Sequence, residues 1–309
     1  MGMELAGFEN MLCVENNPTI CKTLKKNRPH WSIVNSDIKD VTFLDTPTDA
    51  VFGGPPCQAF SHAGKRLGFK DIRGTAFFEF ARAVKEIQPK IFLAENVKGL
   101  MTHDKGRTIE TILSVFNEIG YDITPYSLDA YNYGVPQRRV RTVIIGIRKD
   151  LDIPFWPPVE ILSKRTLRDA LEDVPESEHV KYSEARRQIL EMVPPGGNWR
   201  SLPEEVAKSY MKKTYKNGGG NTGVARRLSW DKPCYTLVCS PSQKTSEFCH
   251  PDETRPLTVR ESARIQTFPD DWEFCGTVRE QYAQIGNAVA VQFAKELGDS
   301  IIEFLYQTV

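Results

Sequence analysis

The sequence predicts an open α/β sheet joined to a second, smaller and loop-rich domain. In residues 1–150, short apolar runs alternate with segments whose apolar residues recur at helical spacing. This is the pattern of buried strands and of the helices that cover them. The predicted strands are Met11–Val14, Trp31–Val34, Ala50–Phe52, Ile91–Ala94, Tyr121–Leu128 and Thr142–Ile147, and the predicted helices are Thr19–Asn27, Thr75–Ile87 and Arg107–Ile119.

The sequence pattern of the chain changes beyond residue 150. Prolines and glycines interrupt residues 151–255 repeatedly, which favours loops over regular elements. Regular structure returns in residues 256–309, where Thr258 and Glu261 stand at capping-box spacing before a helix. We therefore predict that residues 1–150 and 256–309 form the larger domain and that residues 151–255 form the smaller one.

Composition limits the classes of protein. The 309 residues are 40% hydrophobic and 26% charged, which is typical of a soluble globular protein. No apolar run is long enough to cross a membrane, and no signal-peptide pattern opens the chain. Seven cysteines without framework spacing indicate a reducing cytoplasm, and the absence of a Cys-x-x-Cys pair predicts no metal site. Zero net charge neither indicates nor excludes nucleic acid. We expect a monomer.

Cys57 is the leading candidate for chemistry. The apolar run Ala50–Phe52 ends at Gly53-Gly54, and Pro55 and Pro56 then stiffen the backbone. A thiol on a rigid loop at the carboxyl end of a strand lies where open α/β sheets place their sites. An isolated cysteine is more often a buried apolar residue. The flanking glycines, prolines and polar residues favour a reactive thiol here.

Other charged residues also follow predicted strands. Glu95 ends one strand, where desolvation would raise its pKa; the alternative is a structural carboxylate paired with a base. Glu15 and Asp37 lie at two further strand ends, where a carboxylate can accept hydrogen bonds from a nucleotide, or can simply be solvated. Arg139 and Arg141 alternate, so on a strand they would share a face and suit a carbonyl or phosphate oxygen. The alternative for them is a solvated charged run.

Five segments of this chain together carry a family resemblance. Gly-Gly-Pro-Pro-Cys-Gln-Ala-Phe-Ser at residues 53–61 resembles the catalytic loop of the cytosine-C5 DNA methyltransferases of bacterial restriction–modification systems. Glu95–Val97, Gln137–Arg141, Arg255–Pro269 and Gln284–Val289 resemble further motifs of this family, in the family's order. The resemblance covers nearly the whole chain. It implies a Rossmann-like, S-adenosylmethionine-dependent catalytic domain with a target-recognition domain at residues 151–255.

The resemblance also implies a reaction. A methyl group passes from S-adenosylmethionine to C5 of a cytosine flipped out of a specific duplex sequence, while Cys57 is bonded to C6. Glu95 contacts N3 and the amino group of the cytosine, Arg141 holds its O2 atom, and Arg139 helps to order the site. The expected partners are duplex DNA and a cognate restriction endonuclease, in the bacterial cytosol.

Binding residues follow from the same resemblance. Glu15 is expected to hold the ribose of the cofactor and Asp37 its adenine. The full expected cofactor set is Glu15, Asp37, Ile38, Pro56, Asn287 and Ala288, and the expected DNA contacts are Gln58, Ser61, Arg73, Arg227 and Thr236.

One departure from the family pattern keeps alternatives open. The family's first strand and its Phe-x-Gly-x-Gly loop have no counterpart in the printed sequence, in which Gly2 falls just past that loop. A truncated or split, inactive DNA-binding chain is therefore one alternative. An RNA cytosine-C5 methyltransferase is another, although the long 151–255 segment favours reading of duplex DNA.

Overall fold

The computed structural model describes residues 1–56, 76–216, 223–241 and 247–308. The chain forms two compact units. Unit 1 comprises Met1–Tyr133, Val140–Glu160 and Phe293–Val309, and unit 2 comprises Gly134–Arg139 and Ile161–Gln292. Residues 256–292 thus belong to the same compact unit as residues 161–255. The functional division into catalytic and recognition domains stays a prediction.

The described residues of unit 1 form two sheets. In the smaller one, β1 (Cys13–Glu15) and β2 (Ile33–Asn35) pair in parallel. The larger sheet has the strand order β3-β4-β6-β5, in which β3 and β4 are parallel and β6 is antiparallel to both of its neighbours. Its strands are β3 (Ala50–Gly53), β4 (Ile91–Val97), β5 (Tyr121–Asp129) and β6 (Val140–Arg148).

Helices make up the remaining regular structure of the described ranges. Unit 1 begins with α1 (Gly2–Leu5), α2 (Pro18–Asn27), α3 (Ala76–Ile87) and α4 (Arg107–Glu118). Unit 2 contains α5 (Leu167–Leu171), α6 (Glu184–Glu191), α7 (Glu204–Met211), α8 (Lys213–Lys216), α9 (Val259–Ile265) and α10 (Val278–Asn287). The last helix is α11 (Val291–Tyr306). No described helix has both the length and the apolar character needed to cross a bilayer.

An aromatic core supports the larger sheet. Phe77 and Phe80 of α3 are buried, which confirms the predicted amphipathic helix at this place. The ring of Phe92 in β4 lies 4.3 Å from that of Phe116 and 5.3 Å from that of Tyr121. The Tyr121 hydroxyl donates to a backbone carbonyl at 2.8 Å, so its burial leaves no polar atom unsatisfied. These rings fix the positions of β4 and of the helices against it.

Strand pairing brings the ends of three strands to one edge of this sheet. Gly53 of β3 lies opposite Ala94 of β4, so both strands run towards the same edge. Because β6 is antiparallel to β4, its first residues lie beside the last residues of β4, with Arg141 opposite Val97. The end of β3, the end of β4 and the beginning of β6 therefore meet.

Gly146→Ala tests the packing of this sheet. Gly146 pairs with Phe92, and a Cβ atom at residue 146 would lie 2.0 Å from the Phe92 ring. We expect the substitution to lower the free energy of unfolding by about 1–3 kcal/mol, because the buried ring has to move. Urea unfolding measures the change. Gly99→Ala is the matched control, since no described atom outside its own chain neighbours lies within 4 Å of its added Cβ. Equal midpoints for the two variants would refute the packing argument.

Candidate active site

Glu95 and Arg141 form an ion pair where β4 and β6 meet. Glu95 Oε1 lies 2.7 Å from Arg141 Nε, and the two side chains are 14% and 11% exposed. Burial lowers the pKa of Arg141, and the charge of Glu95 opposes that effect. The structure thus unites the two residues that were predicted to hold cytosine. It places Glu95 inside β4 rather than beyond its end, because β6 pairs along the strand as far as Val97.

The segment before Cys57 is hydrogen-bonded to β4, the strand that carries Glu95. Asn96 Nδ2 donates to the carbonyl of Pro55 at 2.8 Å. A Cβ atom at Gly54 would lie 3.7 Å from Glu95 Oε2, and one at Gly53 would overlap the Phe80 ring at 2.6 Å. Gly53 therefore lets the backbone approach α3 closely, whereas a Cβ atom at Gly54 would only make an ordinary contact with Glu95. The chain enters the predicted catalytic loop directly beside Glu95.

Four predicted residues of that loop and the segment after it lie outside the described ranges, which stop at residue 56 and resume at residue 76. They are Cys57, Gln58, Ser61 and Arg73. Their predicted roles stay predictions.

Arg139 has different surroundings from Arg141. It precedes β6, is 2% exposed and makes its contacts within unit 2. Its guanidinium donates to the carbonyls of Leu237, Gly286 and Ala288 at 3.1, 2.8 and 3.1 Å. The expectation that both arginines share a strand face is wrong, because the strand begins only at Val140. The predicted ordering role of Arg139 stays a prediction, and these contacts favour it.

Two buried glutamines complete the surroundings of Arg139. Gln137 donates to Gln266 Oε1 at 3.0 Å and accepts from the Leu237 backbone N–H at 2.9 Å. Gln266 Nε2 donates to the carbonyls of Ile285 and Ala288 at 2.7 and 3.1 Å. We call Gln137, Arg139 and Gln266 the polar node. Neither glutamine was among the predicted site residues, although each lies in a segment that resembles a family motif.

A cavity of about 620 Å³ in unit 1 collects four of the six predicted cofactor residues. Glu15, Asp37, Ile38 and Pro56 all line it. Its volume falls in the range of small-molecule sites. β1 and β3 both contribute to its wall, although they belong to different sheets. The other two predicted residues, Asn287 and Ala288, belong to unit 2.

The carboxylates of this cavity are placed as hydrogen-bond acceptors. Glu15 Oε1 accepts from the Asn17 backbone N–H at 2.8 Å. Asp37 accepts from the Lys39 backbone N–H at 3.1 Å, and this bond holds the pKa of Asp37 below its usual value. Asp37 is therefore an anion at neutral pH and suits an amino-group donor. Phe8 and Phe52 supply apolar walls with their rings in edge contact at 5.1 Å. The cavity thus offers an acceptor for ribose hydroxyls, an acceptor for an amino group and an apolar wall. These features fit an adenosine group.

Arg227 lies in the interior of unit 2. It is 5% exposed, and its guanidinium donates to backbone carbonyls of α6, of Val193 and of the His250 region, and to the Thr254 hydroxyl. Thr236 is half-buried, and its hydroxyl donates to the Arg138 carbonyl at 2.7 Å. The predicted DNA contacts of both residues stay predictions. The geometry of Arg227 favours a structural role.

Three cysteines of unit 2 have different surroundings. Cys234 and Cys249 are buried, whereas Cys239 is exposed and its thiol donates to Asn287 Oδ1 at 2.9 Å. Burial raises the pKa of Cys234 to about 12 and that of Cys249 to about 11, which favours the neutral thiol in both. Across the described ranges, no three His, Cys, Asp or Glu side chains are grouped so as to hold a metal ion.

The sequence of this chain is similar to those of known DNA methyltransferases. Residues 1–303 match the family described as C-5 cytosine-specific DNA methylase. The chain is 53% identical over 317 residues to the Type II methyltransferase M.Eco47II of Escherichia coli, covering 99% of this chain and 76% of the relative. It is 49% identical over 316 residues to the Type II methyltransferase M.Sau96I of Staphylococcus aureus, covering 99% and 74%.

Solved structures of methyltransferases are also similar to this chain. A putative DNA modification methyltransferase encoded within an E. coli prophage superposes with a TM-score of 0.69 at 26% identity, over 99% of this chain and 95% of the other. A Spodoptera frugiperda DNMT2 mutant reaches 0.66 at 18% identity, over 99% and 96%, and shows the shared fold. The chain therefore belongs to the C-5 cytosine-specific DNA methylase family, and it is an S-adenosylmethionine-dependent DNA cytosine methyltransferase.

Proposed function

We propose that this chain methylates C5 of a flipped-out cytosine within a specific duplex DNA sequence, as a Type II methyltransferase, through a covalent bond between Cys57 and C6. The observation that carries the proposal is the buried Glu95–Arg141 ion pair beside the anchored segment that leads into Cys57. A base stacked in a duplex cannot reach such a recessed pair, so the base has to leave the stack.

C5 of cytosine is a weak nucleophile. The reaction therefore requires a stronger nucleophile that adds to the ring and activates C5. The Cys57 thiolate forms a bond to C6, and the electron pair of the C5–C6 double bond moves towards N3 and O2. Arg141 stabilises the charge at O2, and Glu95 interacts with N3 and the amino group. S-adenosylmethionine, when bound, supplies the methyl group. Loss of the C5 proton to a base then lets the bond from Cys57 to C6 break, which restores the ring.

The ion pair prepares both side chains for the base. Before DNA binds, Glu95 and Arg141 satisfy each other at 2.7 Å, so neither buried charge is left alone. An entering cytosine exchanges part of this contact for hydrogen bonds to its own N3, amino group and O2. The partners need little reorganisation, because β4 and β6 already hold their backbones in register.

The cavity of unit 1 holds the cofactor. Glu15 binds the ribose hydroxyls, Asp37 accepts from the adenine amino group, and Ile38 and Pro56 form part of the wall. Asn287 and Ala288, in the last family motif, are the two further proposed cofactor-binding residues. Residues 1–150 and 256–309 act as the catalytic domain and residues 151–255 as the recognition domain.

Gln58, Ser61, Arg73 and Thr236 are the proposed DNA contacts. Arg227 was predicted as a further contact, but its buried hydrogen bonds favour a structural role in unit 2. A cognate restriction endonuclease is the proposed partner in the cell, and a cytoplasmic monomer is the proposed state.

Cys57→Ser tests the covalent step. We expect methyl transfer to fall by about 10³-fold or more, because a hydroxyl is a far weaker nucleophile than a thiolate. Transfer of a labelled methyl group from S-adenosylmethionine to mixed-sequence duplex DNA measures the rate. Cys275→Ser serves as the matched control and should keep the activity.

Trapping on fluorinated DNA checks the same bond directly. Because fluorine at C5 cannot leave as the proton does, duplexes with 5-fluorocytosine should give a complex that survives denaturation. This complex should form with the parent protein and not with Cys57→Ser. An unchanged rate in Cys57→Ser would refute the covalent mechanism.

Glu95→Gln tests the ion pair. It keeps the size of the side chain but removes the charge at N3, and we expect the chemical step to slow by about 10²–10⁴-fold. Single-turnover methyl transfer measures this step, and filter binding measures DNA affinity separately. Glu118→Gln, at an exposed carboxylate of the same unit, should react like the parent. A loss confined to DNA affinity would contradict the proposed role.

Asp37→Ala tests the assignment of the cavity. Loss of a hydrogen bond to a charged acceptor should weaken S-adenosylmethionine binding by about 10-fold or more. Calorimetric titration of the cofactor gives the affinity, and Glu15→Gln should weaken it as well. Asp122→Asn, at an exposed carboxylate outside the cavity, is the control. Parent-like affinity in both cavity variants would place the cofactor elsewhere.

A further inference from the structure

Two neighbouring arginines of unit 2 have opposite surroundings. Arg227 is enclosed by backbone carbonyls in the interior. Arg226 is only half-buried, and its Cζ atom lies 3.6 Å from the centroid of the Tyr235 ring. The guanidinium of Arg226 therefore stacks on an aromatic face.

The stack extends inward by a second ring. Tyr235 and Phe248 are nearly parallel, at 14° and with 6.1 Å between their centroids. Phe248 is 3% exposed, whereas Tyr235 is 44% exposed. A buried ring thus supports an exposed ring, and the exposed ring supports a cation. We call Arg226, Tyr235 and Phe248 the stacked triad.

Backbone pairing holds all three members in place. The Cys249 N–H donates to the Arg226 carbonyl at 2.9 Å, next to a bridge between Arg227 and Cys249. Tyr235 follows Cys234, which forms a bridge with Gln137 of the polar node. The stacked triad therefore loses little conformational entropy when a ligand binds it.

Chain connectivity relates the triad to the chemistry. Cys234 N–H donates to the carbonyl of Pro136 at 2.9 Å, and Thr236 donates to that of Arg138. The segment that carries these carbonyls continues directly into β6, which bears Arg141. Tyr235 thus belongs to a stretch that is hydrogen-bonded to the segment preceding β6 in the chain.

We propose that Arg226, oriented by Tyr235, is a specificity-determining residue that reads the major-groove edge of a guanine in the target sequence. The inference rests on the proposed function as a sequence-specific duplex DNA methyltransferase. A fixed guanidinium suits this task, because its N–H donors lie in its plane and match the O6 and N7 atoms of guanine as a pair. A phosphate contact would position the duplex without distinguishing one base from another.

Other arginine–ring contacts of unit 2 differ in ways that make them useful controls. Arg168 lies over Trp230 at 5.7 Å, and its guanidinium pairs with Asp231 at 3.0 Å. Arg200 lies over the buried Trp199 at 5.4 Å. The contact in the stacked triad is closer than both. Arg168→Ala removes a surface arginine of the same kind without touching the triad.

The experiment is methylation of a random-sequence duplex library, followed by bisulfite conversion and sequencing. The parent protein, Arg226→Ala, Arg226→Lys, Tyr235→Ala and Arg168→Ala are compared. We expect Arg226→Ala and Arg226→Lys to lose preference for guanine at one position by about 10-fold or more, because a bidentate contact is removed. Tyr235→Ala should relax the same position partly. Arg168→Ala should reproduce the parent sequence preference.

Two results would overturn the inference. An unchanged preference in Arg226→Ala is one. A uniform loss over all sequences, with a shallower dependence on salt, is the other, because it identifies a phosphate contact. Thermal unfolding of each variant shows whether the fold is kept, and Tyr235→Ala gives an independent reading if Arg226→Ala unfolds.

A second readout separates this inference from the proposed function. Duplexes that bind the protein are selected by electrophoretic mobility and sequenced, which requires no methyl transfer. If the library is not methylated, the proposed function fails, and the bound pool still decides on Arg226. Guanine enrichment that disappears in Arg226→Ala supports the inference, and enrichment that persists or never forms refutes it.

Discussion

The antiparallel pairing of β6 with β4 is the constraint on which the candidate active site depends. A parallel partner would carry the first residues of β6 to the far edge of the sheet. The observed register instead sets Arg141 opposite Val97 and brings its side chain within 2.7 Å of Glu95. The aromatic core beneath β4 makes this arrangement stiff, because Phe92 packs on Gly146 of β6 as well as on the helices. Rigid strands thus hold two charges that would be costly if either stood alone in the interior.

Unit 2 is organised by a different kind of interaction. The polar node joins four segments that are far apart in sequence, at residues 137–139, 237, 266 and 285–286. One hydrogen bond links the two glutamines and the others go to backbone carbonyls, without an opposing carboxylate among those bonds. Such a network has to be satisfied nearly completely to be stable, since each buried polar group left alone costs about 1–3 kcal/mol. Gly286 belongs to the same arrangement, because a Cβ atom there would lie 2.6 Å from the Val238 backbone. The segments that resemble the family's motifs therefore also form the interior of this unit.

Prediction from the sequence succeeded where local pattern decides the outcome. Arg107–Ile119 was predicted as a helix from its apolar stripe, and α4 runs from Arg107 to Glu118. The apolar run Ile91–Ala94 was predicted as a strand and forms the buried half of β4. Its polar continuation was not, because Glu95–Val97 becomes strand only through pairing with β6. Arg139 and Arg141 look alike in the sequence, yet Arg139 lies in unit 2 and Arg141 lies in β6 beside the end of β4, because β6 begins between them.

The sequence by itself determined the family and most elements of unit 1, and it predicted roles for Cys57, Glu95 and Arg141, because residue type, spacing and short motifs carry this information. Only the tertiary structure decided which of two adjacent arginines is buried among carbonyls and which lies on an exposed tyrosine. It also decided that Glu15, Asp37 and Pro56 line one cavity. The physical reason is that burial and partners depend on contacts between distant segments. No local pattern of residues encodes those contacts.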